Sequence, residues 1–193
     1  MDKYRAIVIF GPPGSGKGTQ AKLFPKRYVH FSTGEMCRNV DTSTNLGKRI
    51  RERIDAGNLI SDGMIVDLLK QNLKKSIESG GYDPNEQIIL LDGIPRNPEQ
   101  AVMISSFIDI TAVISLEIPD EEIVKRLLKR AKIEGRPDDA SEDIIRNRIK
   151  IYNQQTHEVL EMYLGSVIKI NGLGTVEEVS ARIFSSFSKK SSH

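Results

Sequence analysis

The sequence predicts a three-layer α/β fold, a parallel sheet covered by helices on both faces. Three observations carry this: short β-branched apolar runs recur along the chain, helical patterns separate them, and a glycine-rich segment joins the first run to the first helical pattern. At 193 residues the chain has the length of one compact domain with small inserted lobes. Lys plus Arg number 28 against 26 Asp plus Glu, a formal net charge of +2. That near-balance argues against a dedicated nucleic-acid binder, while leaving room for a local arginine cluster facing a small anion. Cys37 is the sole cysteine, which excludes an intrachain disulfide and a cysteine-rich zinc site. No apolar run approaches the ~18 residues of a membrane span, and residues 1–5 lack the shape of a signal peptide. A soluble cytoplasmic protein is expected.

Ala6-Ile7-Val8-Ile9-Phe10 reads as a strand buried on both faces, because a continuous apolar run has no polar side to show water. Ala21, Leu23 and Phe24 begin a helical pattern after the glycines. Residues 33–60 read as consecutive helical segments outside the alternation, with Leu46, Ile50 and Ile54 in a stripe. Ile65, Leu68, Leu69 and Leu73 share the face of a longer helix. Ile88-Ile89-Leu90-Leu91 and Ala112-Val113-Ile114-Ser115-Leu116 are further buried strands. Asp120 is the expected N-cap of a helix carrying Ile123, Val124, Leu127 and Leu128, with Glu121 and Glu122 favouring its positive end. Residues 131–140 are polar, contain Gly135 and Pro137, and read as a loop, either a functional lid or a solvated connector. Val167-Ile168-Lys169-Ile170 is a weaker strand. A capping box, Thr175-x-x-Glu178, opens the last helix, with Val179 and Ile183 on one face; the serine- and lysine-rich tail at 185–193 is expected to fray.

Gly11-Pro12-Pro13-Gly14-Ser15-Gly16-Lys17-Gly18-Thr19-Gln20 is the most informative stretch. A phosphate needs several converging N–H donors, and glycines permit the unusual backbone that converges them. The helix start adds partial positive charge, Lys17 a full one, and Thr19 or Ser15 a hydroxyl near a metal. Gly18 stands where the general Walker pattern has Ser or Thr. The reading is a nucleotide-phosphate site. Asp92, ending the Ile88 run, is placed to hold Mg²⁺ directly or through water, although Asp92-Gly93 is also a turn dipeptide.

The guanine-reading Asn-Lys-x-Asp and the switch Asp-x-x-Gly are absent, which argues against a regulatory GTPase. Arg38, Arg96, Arg130, Arg136 and Arg148 instead fall in loops or at loop edges. Any one alone reads as surface charge; together they suit phosphoryl transfer, where cations stabilise charge spread over equatorial oxygens. Lys48-Arg49-Ile50-Arg51-Glu52-Arg53 reads as a solvated helix face. His30, His157 and His193 show no triad or metal spacing, and His30 reads as structural. Cys37 beside Arg38 reads as a packing residue, with a lowered thiol pKa as the alternative.

Gly11-Pro12-Pro13-Gly14-Ser15-Gly16-Lys17-Gly18-Thr19-Gln20, Ser32-Thr33-Gly34-Glu35-Met36-x-Arg38, Ala56-Gly57-Asn58-Leu59-Ile60-Ser61-Asp62, Leu91-Asp92-Gly93-Ile94-Pro95-Arg96, Gly135-Arg136-x-Asp138-Asp139 and Arg146-x-Arg148 occur in the order seen in adenylate kinases. Over essentially its whole length the chain resembles that family, in its short-lid type. The resemblance implies a P-loop NTPase fold with a central parallel five-stranded sheet. It further implies a core of residues 1–31, 61–129 and 141–193, a helical NMP-binding lobe at 32–60 and a lid at 130–140.

By the same resemblance Gly14, Ser15, Gly16, Lys17, Gly18 and Thr19 hold the ATP phosphates, Arg130 reaches them, and Gly174 lies against the adenine. Thr33, Arg38, Asn58, Leu59, Ile60, Gly93, Ile94, Pro95, Arg96 and Gln100 form the AMP site. Arg136 and Arg148 contact the transferring phosphoryl group and the AMP phosphate, so Lys17, Arg96, Arg130, Arg136 and Arg148 are the expected catalytic set. The implied metal is Mg²⁺ with ATP, held by Asp92 and Thr19; no zinc is expected. The implied reaction is reversible transfer from MgATP to AMP giving two ADP, in line, without a general base, because the AMP phosphate is already ionised. The expected partners are ATP, AMP and ADP, with no nucleic acid and no membrane, and the expected state is a monomer. Thr33 and Gln100 match the adenylate kinases, whereas Asn97 is the residue the related UMP/CMP kinases carry and Ile94 replaces the usual aromatic. The alternatives are a UMP/CMP kinase and a non-catalytic nucleotide-binding regulatory protein.

Overall fold

The computed structural model describes residues 3–56, 58–135, 139 and 141–190. Five strands, β1 (Tyr4–Phe10), β2 (Tyr28–Ser32), β3 (Ile88–Asp92), β4 (Ile108–Glu117) and β5 (Val167–Asn171), form one parallel sheet in the order β2-β3-β1-β4-β5. Helices α1 (Lys17–Ala21), α2 (Thr33–Arg38), α3 (Asn45–Asp55), α4 (Asp62–Glu78), α5 (Pro98–Ser105), α6 (Asp120–Glu134), α7 (Glu142–Met162) and α8 (Val176–Lys190) complete the alternation. The expected three-layer α/β P-loop NTPase fold is the one observed.

The chain divides into two compact units, Met1–Val8 with Pro25–Thr111, and Ile9–Phe24 with Ala112–His193. In the first, β2 and β3 pair in parallel from Tyr28 opposite Ile88 to Ser32 opposite Asp92. Leu68, Leu69 and Leu73 of α4 are buried as their spacing requires, and each withdraws ~1.5–3 kcal/mol worth of apolar surface from water. Ile50 is fully buried in α3, while Leu46 and Ile54 flank it half-buried; Lys48, Arg49, Glu52 and Arg53 face solvent, as the charged run predicts. In the second unit, Ile123, Val124 and Leu127 of α6 pack on Ile145 and Ile149 of α7. There β4 and β5 pair from Val113 opposite Val167 to Glu117 opposite Asn171. Phe24 packs against Phe184 of α8, ring centroids 5.1 Å apart.

Several local expectations need correction. β2 carries Tyr28, His30 and Ser32 and shows no continuous apolar run; it is one of the two edge strands of the sheet, with β5 the other, where polar residues are tolerated. The cap of α6 is Pro119 and not Asp120: the Pro119 carbonyl accepts the Glu122 and Ile123 amides, so Asp120 is already the first helical residue. Its carboxylate, with Glu121 and Glu122, still lies at the positive end of the helix. Residues 131–134 are not loop. No breaker interrupts α6 before Gly135, which ends it at φ 61°. After Ala21 the helical pattern closes in tight turns through Leu23 and Phe24, so α1 is only five residues long. The capping box of α8 forms in both directions, Thr175 N to Glu178 Oε2 at 2.9 Å and Glu178 N to Thr175 Oγ1 at 3.2 Å. The helix then continues to Lys190 through the stretch expected to fray.

Candidate active site

In the second unit, β1 ends at Phe10 and the chain turns through the glycine-rich loop. Gly14 sits at φ 80°, and a Cβ there would stand 2.8 Å from Leu127 Cγ, so only glycine fits. Gly16, the N-cap of α1, has φ 95° and no side chain to cap the first-turn amides, and a Cβ on it would meet nothing. Space stands open beside the start of α1, as a cradle for an anion requires. Lys17 Nζ lies over the loop, donating to the Gly11 carbonyl at 2.6 Å and the Pro12 carbonyl at 3.1 Å. Ser15 is 2% exposed, yet its Oγ has no hydrogen-bond partner among the described residues. An orphaned buried hydroxyl is costly unless a ligand completes it. Thr19 is exposed on α1.

Tyr152 of α7 braces the same loop by hydrogen bonds with the Gly11 backbone and Thr156, and burial pushes its phenol pKa well up. Gln20 is anchored through Nε2 to the Val176 carbonyl at 3.0 Å. Gly174 adopts φ 112° in a turn held by Arg182, whose Nη1 donates to the carbonyls of Asn171 and Leu173.

Arg130 of α6 and Arg148 of α7 meet on one carboxylate. Arg130 Nε donates to Asp139 Oδ2 at 2.7 Å, and Arg148 Nη1 to Asp139 Oδ1 at 2.5 Å. Asp139 is fully buried, and the guanidinium side chains are 26% and 29% exposed. One acidic group therefore orients two cations, each of which stays partly exposed. Asp139 had no assigned role in the sequence reading, although it stands nine residues from each arginine. Arg136 lies outside the described residues.

The first unit gathers a different set. Thr33 is buried, and its hydroxyl donates to the Gly93 carbonyl at 3.0 Å. Gly93 has φ 82°, and a Cβ on it would reach within 2.6 Å of the Thr33 Oγ1, so glycine keeps this contact open. Arg96 Nε donates to the same Gly93 carbonyl at 2.9 Å. Ile94 is buried, and the Ile94–Pro95 peptide bond is cis. Gln100, 4% exposed, accepts the Arg96 amide at 2.9 Å through Oε1. Arg38 is exposed at the end of α2, and its carbonyl accepts from Arg51 Nη2. Charges on both Arg96 and Arg38 reach Cys37, but burial outweighs them and raises the thiol pKa, so the alternative of an activated thiol is not what this pocket produces. Asn58, Leu59 and Ile60 are held from α3: Arg53 Nη1 donates to the Leu59 carbonyl at 3.0 Å, and the Arg53 carbonyl accepts the Asn58 amide. Leu59 itself is 88% exposed.

Asp92 ends β3, 8% exposed, with its Oδ2 3.5 Å from His30 Nε2. Among the described residues no three His, Cys, Asp or Glu side chains converge to hold a metal unaided. A carboxylate and a hydroxyl are hard oxygen donors, the chemistry that suits Mg²⁺ shared with phosphate and water. Asp62, Tyr152, Arg53 and Asp139 are the residues of these constellations that sequence reasoning missed.

The adenylate kinase family model matches residues 9–167. A protein named adenylate kinase from Maricaulis maris is 38% identical over 194 aligned residues, covering 95% of this chain and 99% of its own. Adenylate kinases of Flavobacterium psychrophilum, at 38% identity over 92% of this chain and 95% of theirs, and of Leptospira biflexa, at 36% over 94% and 99%, are similarly related.

Proposed function

This chain belongs to the adenylate kinase family, and from that premise we propose that it transfers the terminal phosphoryl group of MgATP to AMP, reversibly, giving two ADP. The observation that carries the acceptor half is the buried Gln100 amide beside Arg96, a base-reading group next to a phosphate-grade cation. The donor half rests on the glycine loop with its orphaned Ser15 hydroxyl and Lys17.

In this reading Gly14, Ser15, Gly16, Lys17, Gly18 and Thr19 hold the donor phosphates, and Gly174 borders the adenine. On arrival of the triphosphate, Lys17 leaves the Gly11 and Pro12 carbonyls for phosphate oxygens. Arg38 and Arg96 hold the acceptor phosphate; Thr33, Gly93, Ile94, Pro95 and Gln100, with Asn58, Leu59 and Ile60, enclose its nucleoside. Arg130, Arg136 and Arg148 stabilise charge on the transferring group, the first and last pre-aimed by Asp139. Asp92, through water, and Thr19 would hold Mg²⁺, which neutralises phosphate charge when bound. No side chain need act as a base, because the attacking phosphate is already ionised. Residues 32–60 serve as the acceptor lobe and 130–140 as the lid, over a core of 1–31, 61–129 and 141–193, with water excluded on closure. The chain works as a cytoplasmic monomer; among the described residues no helix is long and apolar enough to cross a membrane.

Asn97, the residue that leans toward pyrimidine acceptors, has a structural use here: its Oδ1 caps α5 and its Nδ2 donates to Asp62. A coupled assay of ADP formation across AMP, CMP, UMP and GMP tests the reading. Fast turnover with AMP is expected; preference for CMP or UMP would move the chain to the pyrimidine kinases, and no turnover with any acceptor would leave a binding protein.

A further inference from the structure

Asp62, the first residue of α4, accepts two side-chain amides. Its Oδ1 takes Gln100 Nε2 at 2.5 Å, and its Oδ2 takes Asn97 Nδ2 at 3.0 Å. Both amides are held at their other ends by backbone N–H groups: Arg96 N donates to Gln100 Oε1 at 2.9 Å, and Gln100 N donates to Asn97 Oδ1 at 2.8 Å. An ionised carboxylate only accepts, and a backbone N–H only donates. Turning Gln100 over would set its oxygen against the carboxylate and its NH₂ against an N–H, two clashes of like partners in a side chain 4% exposed.

We propose that Asp62 is a specificity-determining positioning residue: it locks the Gln100 amide in one sense and so restricts the acceptor to bases bearing an exocyclic amino group. The inference rests on the reading of Gln100 as the contact to the acceptor base. With one lone pair and one N–H already engaged, Gln100 retains one acceptor site on Oε1 and one donor on Nε2. That pair matches an amino N–H beside an unprotonated ring nitrogen, the edge of adenine. A 6-oxo base presents the reverse order, a carbonyl beside a protonated ring nitrogen. Sliding the base to compensate would draw its phosphate away from the arginines that hold it. Cytosine shares the edge of adenine, so the lock separates amino from oxo bases and leaves ring size to the pocket walls.

The test compares kcat/KM for AMP and for inosine 5′-monophosphate, which differs only at that edge, in the wild type, Asp62→Asn and Asp62→Ala. The wild type is expected to favour AMP by ~10³-fold or more, as sites built around a substrate hydrogen bond do. An amide at position 62 can face either sense of Gln100, so Asp62→Asn is expected to cut the ratio at least ~10-fold, with the KM for MgATP unchanged. Asp62→Ala keeps the Arg96 N–H and is expected to fall between the two; it carries the test if the amide variant does not fold. A ratio near one in the wild type, an unchanged ratio in a folded variant, or equal losses on both acceptors would overturn the proposal. A wild type inactive on AMP would instead strike the proposed function.

Discussion

Replacing Asp139 by asparagine tests whether one buried carboxylate organises Arg130 and Arg148. The native group is fully buried, with Arg130 at 2.7 Å on one oxygen and Arg148 at 2.5 Å on the other. An amide keeps a single carbonyl oxygen, so it can satisfy one guanidinium while turning NH₂ donors on the other. Leaving one partner of a buried pair uncompensated costs about 3–5 kcal/mol. The arginines are 26% and 29% exposed and can relax partly toward water, which lowers the expected loss to ~2–4 kcal/mol. In a chain of 193 residues each kcal/mol moves Tm by ~2–4 °C, so a fall of ~5–15 °C is expected in thermal unfolding followed by circular dichroism. The transfer rate should fall ~10²-fold in a coupled ADP assay, because guanidinium groups without a fixed direction stabilise the transition state poorly. A variant that melts and turns over like the wild type would refute the reasoning.

Lys17→Ala and Arg96→Ala are each expected to reduce transfer at least ~10²-fold, since in the proposed mechanism each supplies a charge to phosphate. Near-normal turnover in either variant would remove that residue from the machinery. Tyr82 is 1% exposed and its hydroxyl has no hydrogen-bond partner among the described residues. Burial, then the neighbouring Tyr4, pushes its phenol up to about 12. The native state therefore keeps this proton where the unfolded chain, at ~10, has lost it, so stability falls as pH rises from ~10 to about 12. Tyr82→Phe should leave stability at pH 7 unchanged or raised and shift the alkaline unfolding midpoint upward; an unmoved alkaline midpoint in a pH series of urea melts would contradict this.

What the sequence made legible follows from locality. The runs that became β1, β3 and the second half of β4 were plain because strands buried on both faces must be apolar throughout, whereas β5, at a sheet edge, carries Lys169 and gave the weaker run. β2 escaped that pattern because an edge position permits Tyr28 and His30. The glycine loop was readable because Gly14 and Gly16 shape the backbone and Lys17 folds over it within one turn of chain. Asp62 was quoted in a motif but given no task, because its partners Asn97 and Gln100 lie 35 and 38 residues away and meet it only where α4 packs on α5. Asp139 was likewise invisible as an organiser: only the pairing of α6 with α7 sets Arg130 and Arg148 on its two oxygens. The loop expected at 131–140 begins later than the polar composition suggests, because α6 runs on to Gly135, the first residue that could end it.

Calorimetric titration with two adenosines joined through a polyphosphate chain tests most directly that the chain holds a donor and an acceptor nucleotide at once. The joined compound should bind one to one and at least ~10²-fold more tightly than ATP, because the second nucleoside binds at high effective concentration once the first is seated. Lys17→Ala and Arg96→Ala should each erase most of that gain. Uptake of a single nucleotide in total, with the joined compound bound no better than ATP, would contradict it.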